Sequence, residues 1–151
     1  MSIFLIIIGI IGIIIVISYF NKKARQVAYE RRQEEEKQKY EEFIQRLITE
    51  KDFSDDFINS AESELNFIEE QKPNSYDFIY KTDQVRADTY SAISRVNYYS
   101  EIFNRIRGKS SNNSRVNSLS KKCSELVKPL DDRLKHCHEL KEAYNRGLYG
   151  K

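Results

Sequence analysis

Tryptophan is absent from this chain, and the residues that interrupt regular structure are scarce: two prolines and five glycines in 151 residues. Proline and glycine supply the tight turns and helix breaks of a fold. Their scarcity argues against a sandwich or barrel of many short strands, and against a flexible low-complexity chain. Cysteine is equally sparse. Cys123 and Cys137 are fourteen residues apart in what reads as one helix. That separation is roughly 21 Å, several times the span of a disulfide. They are expected to be buried thiols, which fits a reducing compartment. Neither sign of charge dominates: 25 Lys and Arg stand against 23 Asp and Glu. Net charge therefore points to no polyanionic or polycationic partner.

Catalytic patterns are missing as well. The sequence holds no phosphate-cradling glycine loop and no serine with a recognisable His and acid partner. The one eye-catching cluster is "HCH" at 136–138. On a helix His136 and His138 point about 200° apart and cannot close on one ion. Zinc needs about four converging ligands. The expectation is a core thiol between two surface histidines, with no metal, no cofactor and no enzymatic activity. Nucleic-acid binding is disfavoured too, because the basic C-terminal segment has only Tyr144 and Tyr149 for stacking.

What the chain does contain is charge and aromatic surface. Charged residues make up 32 % and aromatics 12 %, with ten Tyr and eight Phe. Good helix formers with few breakers imply an all-α fold, and this much apolar surface is enough to offset the entropy of ordering.

The longest apolar run is Ile3–Phe20, eighteen residues without a charge, ten of them Ile. As a helix it spans roughly 27 Å, close to the hydrocarbon thickness of a bilayer. A soluble helix of that length would carry a polar face. A cleaved signal would carry a basic segment before the run and a small-x-small site after it, and neither is present. Residues 1–20 are therefore expected to be a single transmembrane anchor touching membrane lipid. Lys22, Lys23 and Arg25 follow at once, with Arg31 and Arg32 beyond. By the positive-inside rule they place the body in the cytoplasm and the N-terminus outside, in an inner or plasma membrane. Gly9 and Gly12 are candidates for close packing of a second membrane helix.

Residues 21–52 read as a charged helical stalk and 53–151 as a helical bundle. Tyr40, Phe43, Ile44, Leu47 and Ile48 begin an apolar stripe at helical spacing. A second helix over about 55–72 should be capped by Ser54, stapled by Phe53 and Ile58, and bury Phe57, Ala61, Leu65 and Ile68. "KPNS" ends it. Asn74 or Ser75 then opens a third helix over 76–107, closed by Gly108. Phe78, Thr82, Val85, Thr89, Ala92, Val96, Tyr99, Phe103 and Ile106 alternate spacings of four and three along it, a coiled-coil-like stripe. A last helix over 115–146 carries Val116, Leu119, Cys123, Leu126 and Leu130, then a shifted stripe. The shift falls at Pro129, where a kink or split is expected. The short loop between the last two helices predicts an antiparallel hairpin. Residues 53–104 carry ten acids and four bases, and 105–151 five acids and twelve bases. Acidic helices should therefore lie against a basic one.

These features suggest a membrane-anchored scaffold or accessory subunit that acts through protein–protein interaction or self-association. Tyr80, Tyr90 and Tyr98 are its candidate partner interface. In size and plan the chain is also similar to phage inner-membrane spanins, with an N-terminal span before a helical body. Their body faces the periplasm, against the charge asymmetry here. The alternative reading is thus a phage- or toxin-like membrane-active protein, such as a lysis subunit or small defence effector. No motif residues match, so no functional position carries over.

Overall fold

The computed structural model describes the backbone of residues 2–147 and the side chains from residue 18 onward. Among these residues it has five α-helices and no strand: α1 (Ser2–Thr49), α2 (Lys51–Glu70), α3 (Ser75–Tyr80), α4 (Thr82–Ile106) and α5 (Asn113–Asn145). The chain divides into two units, Met1–Phe43 and Ile44–Lys151.

The first unit is α1 up to Phe43. Every described side chain from Ser18 to Lys39 is exposed. Lys22, Lys23 and Arg25 lie on this stretch. Among the described residues no helix is long and apolar enough to cross a membrane. The Ile-rich run expected to do so lies, as far as residue 17, outside the residues whose side chains are described, and so do Gly9 and Gly12.

The second unit is a helical bundle. Its principal packed pair is α4 with α5, and α2 lies against both. The core follows the expected spacing closely. From α4, Val85, Thr89, Val96, Tyr99, Phe103 and Ile106 are buried, joined by Ile102. From α5, Val116, Leu119, Cys123, Leu126, Leu130 and Cys137 are buried. Ile58, Ala61, Leu65 and Ile68 come from α2, and Ile44 and Leu47 from the end of α1. Alternating spacings of four and three keep one face of each helix toward its neighbours, so the stripe becomes the seam.

Three local expectations need correction. Ser54 does not cap α2. The helix begins a turn earlier, after Glu50, which makes no side-chain cap. Ser54 is buried, with its hydroxyl 3.4 Å from that of Ser110 in the α4–α5 loop. Phe53 instead lies under Arg46, whose guanidinium carbon is 4.2 Å from the ring centre. Secondly, the third helix is two. Asn74 opens it with a reciprocal box: its side chain accepts from Asp77 N at 2.8 Å, and Asn74 N donates to Asp77 Oδ2 at 3.3 Å. Lys81 then leaves helical geometry at φ −127°, ψ 31°. There the Thr82 hydroxyl donates back to the Phe78 carbonyl, a side-chain bond that competes with the backbone ladder. Thirdly, Pro129 does not split α5, which runs unbroken from Asn113 to Asn145. Proline removes one backbone donor, but Leu126, Leu130 and Cys137 around it stay buried and hold the helix together.

Gly108 closes α4 as expected, at φ +74°, a conformation that favours glycine. The loop beyond it ties the hairpin to α2. Gly108 N donates to Asn113 Oδ1 at 2.6 Å, and the Asn112 amide donates to Asp55 of α2.

Part of the charge segregation is matched between helices. Arg115 of α5 reaches Glu62 of α2 at 2.6 Å, and Lys122 reaches Glu69 at the same distance. Lys141 of α5 meets Asp83 of α4 at 2.7 Å.

Candidate functional site

The three tyrosines proposed from the sequence do not share a face. Tyr90 stands 3.4 Å from His138 Nε2 on α5. Tyr98 meets Tyr99 edge-on, with ring centres 5.4 Å apart. Tyr99 in turn donates to Glu64 of α2, which also pairs with Arg95 at 2.6 Å. Tyr90 thus stands beside α5, whereas Tyr98 adjoins the residues that reach α2. Both are about half exposed. Tyr80 belongs to a separate helix, because the chain breaks at Lys81.

Tyr80 lies instead at an open cleft. It is formed by α3, the start of α4 and the last turns of α5, and encloses about 900 Å³. Its apolar lining is Phe78, Ile79, Tyr80, Leu140 and Tyr144. The local sequence explains the exposure. Helix α3 has only six residues and buries none of them, so its aromatics have no core to enter. Phe78 is half-buried, 4.7 Å from the His136 ring in a T-shaped contact. The Tyr76 and Tyr80 rings pack together at 4.4 Å. Ile79, Tyr80 and Tyr144 are exposed by 56, 70 and 71 %.

The polar part of the cleft is a bridge across it. Lys141 Nζ pairs with Asp83, and Arg86 reaches the same carboxylate at 3.0 Å. Lys141 foremost, with Arg86 adding, holds the Asp83 carboxyl below the usual range. Lys81, the other cation at the cleft, pairs with Asp77 at 3.6 Å, so the cleft's cations are paired and its surface is mainly apolar. Such surface recognises apolar and aromatic side chains.

Cys137 is buried between His136, which packs on the Phe78 ring, and His138, which stands beside the Tyr90 hydroxyl, so the two histidines share no common centre. Burial pushes the Cys123 thiol up to about 11 and raises that of Cys137 as well. Both are free thiols in the bundle. Among the described residues no group of three or more His, Cys, Asp or Glu is placed to hold a metal ion.

Sequence reasoning singles out Tyr80 but not Ile79 and Tyr144, which line the same cleft. The exposure of Tyr144 marks it as surface. Compared with family models, curated proteins and solved structures, the chain matches none of them.

Proposed function

We propose that this protein is a membrane-anchored helical scaffold that works by holding a partner protein at the membrane face. Residues 3–20 are its anchor. Lys22, Lys23 and Arg25 keep the body on the cytoplasmic side of an inner or plasma membrane. The cleft between α3 and α5 is the docking surface. The observation that carries this reading is the group of Ile79, Tyr80 and Tyr144, each more than half exposed around one open cleft. Tyrosine joins apolar area to a polar handle and is enriched where proteins meet. The occupant is a polypeptide segment presenting apolar side chains, because the charges of the cleft are already paired.

Site-specific photo-crosslinking in cells tests this. A photoreactive residue replacing Ile79, Tyr80 or Tyr144 should trap one discrete protein. The same residue replacing exposed Lys128, on α5 away from the cleft, should not. Equal trapping at all four positions, or trapping at none, contradicts the docking surface. An adduct of twice the chain's mass identifies the occupant as a second copy.

A further inference from the structure

The cations that orient the anchor also form a pattern along the first unit. Between Phe20 and Gln33, α1 has five cations, Lys22, Lys23, Arg25, Arg31 and Arg32, and one acid, Glu30. Glu30 accepts from the Gln26 amide at 3.1 Å. All five cations are exposed, and none makes an ion pair among the described residues. This contrasts with α5, where Arg115, Lys122 and Lys141 are each matched to an acid on another helix. Beyond them the balance reverses, with Glu34, Glu35, Glu36, Glu41 and Glu42 against Lys37 and Lys39.

The order along the axis matters. At about 1.5 Å per residue, the cations lie roughly 3 to 18 Å past Phe20 and the acids start at roughly 21 Å. A headgroup layer is on the order of 6 Å deep on each side, and the Debye length at physiological salt is about 8 Å. Lys22, Lys23 and Arg25 fall within or just beyond the headgroups, Arg31 and Arg32 lie roughly 10 to 12 Å past them, and apart from Glu30 the acids lie farther out still. Apolar surface accompanies the charge: Phe20, Ala24, Val27 and Ala28 line one face of the helix, flanked by Lys23, Arg31 and Arg32, with Glu35 at its far end. Tyr19 and Phe20, 64 and 65 % exposed, stand at the start of the segment. Aromatics favour that interfacial depth.

We infer that residues 19–32 form a binding surface for anionic phospholipid headgroups, so that the anchor selects acidic lipid as well as spanning the bilayer. This rests on the anchor reading above. The partner is lipid because the unpaired cations directly follow an uncharged apolar run and three of them, Lys23, Arg31 and Arg32, border a face of apolar side chains. A soluble polyanion would need neither.

The test uses the full chain reconstituted in phosphatidylcholine vesicles, with spin-labelled phosphatidylserine or spin-labelled phosphatidylcholine as probe. Membrane retention is first checked by carbonate extraction. The expected result is a preference for phosphatidylserine of about threefold or more, abolished by about 0.5 M salt. Replacing the five cations together (K22Q/K23Q/R25Q/R31Q/R32Q) should also remove it, while K121Q/K128Q/K135Q leaves it unchanged. A retained chain with no lipid preference overturns this inference alone. So does a preference that follows the α5 lysines. A chain released by carbonate overturns the anchor and the inference together.

Discussion

Lys122 Nζ, on α5, lies 2.6 Å from Glu69 Oε2, on α2, and also bonds the side chain of Asn66. One lysine thus ties two helices that are far apart in sequence. Lys122 is the main cause of the lowered pKa of the Glu69 carboxyl. The stabilisation from this pair is therefore full above the ordinary glutamate range and lost as pH falls through the depressed value. Replacing Lys122 with Gln should bring the Glu69 titration back toward the usual range. Carboxyl-carbon NMR across an acid titration measures it, and an unmoved Glu69 would contradict the pairing.

Tyr99 makes the opposite case. It is 8 % exposed, and burial first, then its bond to Glu64, raises its phenol pKa well above the ordinary range. Its contribution is full below the ordinary tyrosine pKa and lost as pH rises beyond it. Tyr99→Phe should destabilise the bundle by about 1 kcal/mol, because Glu64 keeps Arg95 as a partner and is not left bare. Urea unfolding of both proteins gives the value. A loss of about 3 kcal/mol or more would mean that Arg95 cannot satisfy Glu64 alone.

Pro129 sits inside α5 on its exposed side. Alanine there restores the missing backbone donor toward Glu125 and relieves the ring's clash with that turn. Pro129→Ala should stabilise the protein by about 1 kcal/mol or more, read as a higher thermal midpoint. A lower midpoint would indicate that the proline sets a bend the packing needs.

Periodicity made the core legible. Val85, Thr89, Val96, Tyr99, Phe103 and Ile106 are buried because spacings of four and three place them on one face of the helix, and that face meets its neighbours. Val116, Leu119, Cys123, Leu126 and Leu130 repeat the pattern on α5. The acidic and basic halves likewise foretold Glu62–Arg115, Glu69–Lys122 and Asp83–Lys141. The break at Lys81 was not legible, since no proline or glycine marks it and a threonine that bonds four residues back is common inside unbroken helices, as Thr89 does to Val85. Ser54 carries every local sign of a cap, yet its buried partner Ser110 lies 56 residues away. Tertiary contact overrode the local rule there. The cleft depended on register: Tyr144 lines the same cleft as Ile79 and Tyr80 because the hairpin returns α5 beside α3, a pairing that no window of sequence contains.

We propose a helical body held on the cytoplasmic side of a membrane, and its sidedness can be read by labelling. Asn117 is exposed on α5, whereas Cys123 and Cys137 are buried free thiols that should react slowly. An Asn117→Cys variant, with the parent chain as control, is treated with a membrane-impermeant maleimide before and after the inner or plasma membrane is opened. The account predicts labelling of position 117 only after that membrane is opened, in a chain that alkaline carbonate leaves in the membrane fraction. Labelling while it is intact, or release of the chain by carbonate, would contradict it.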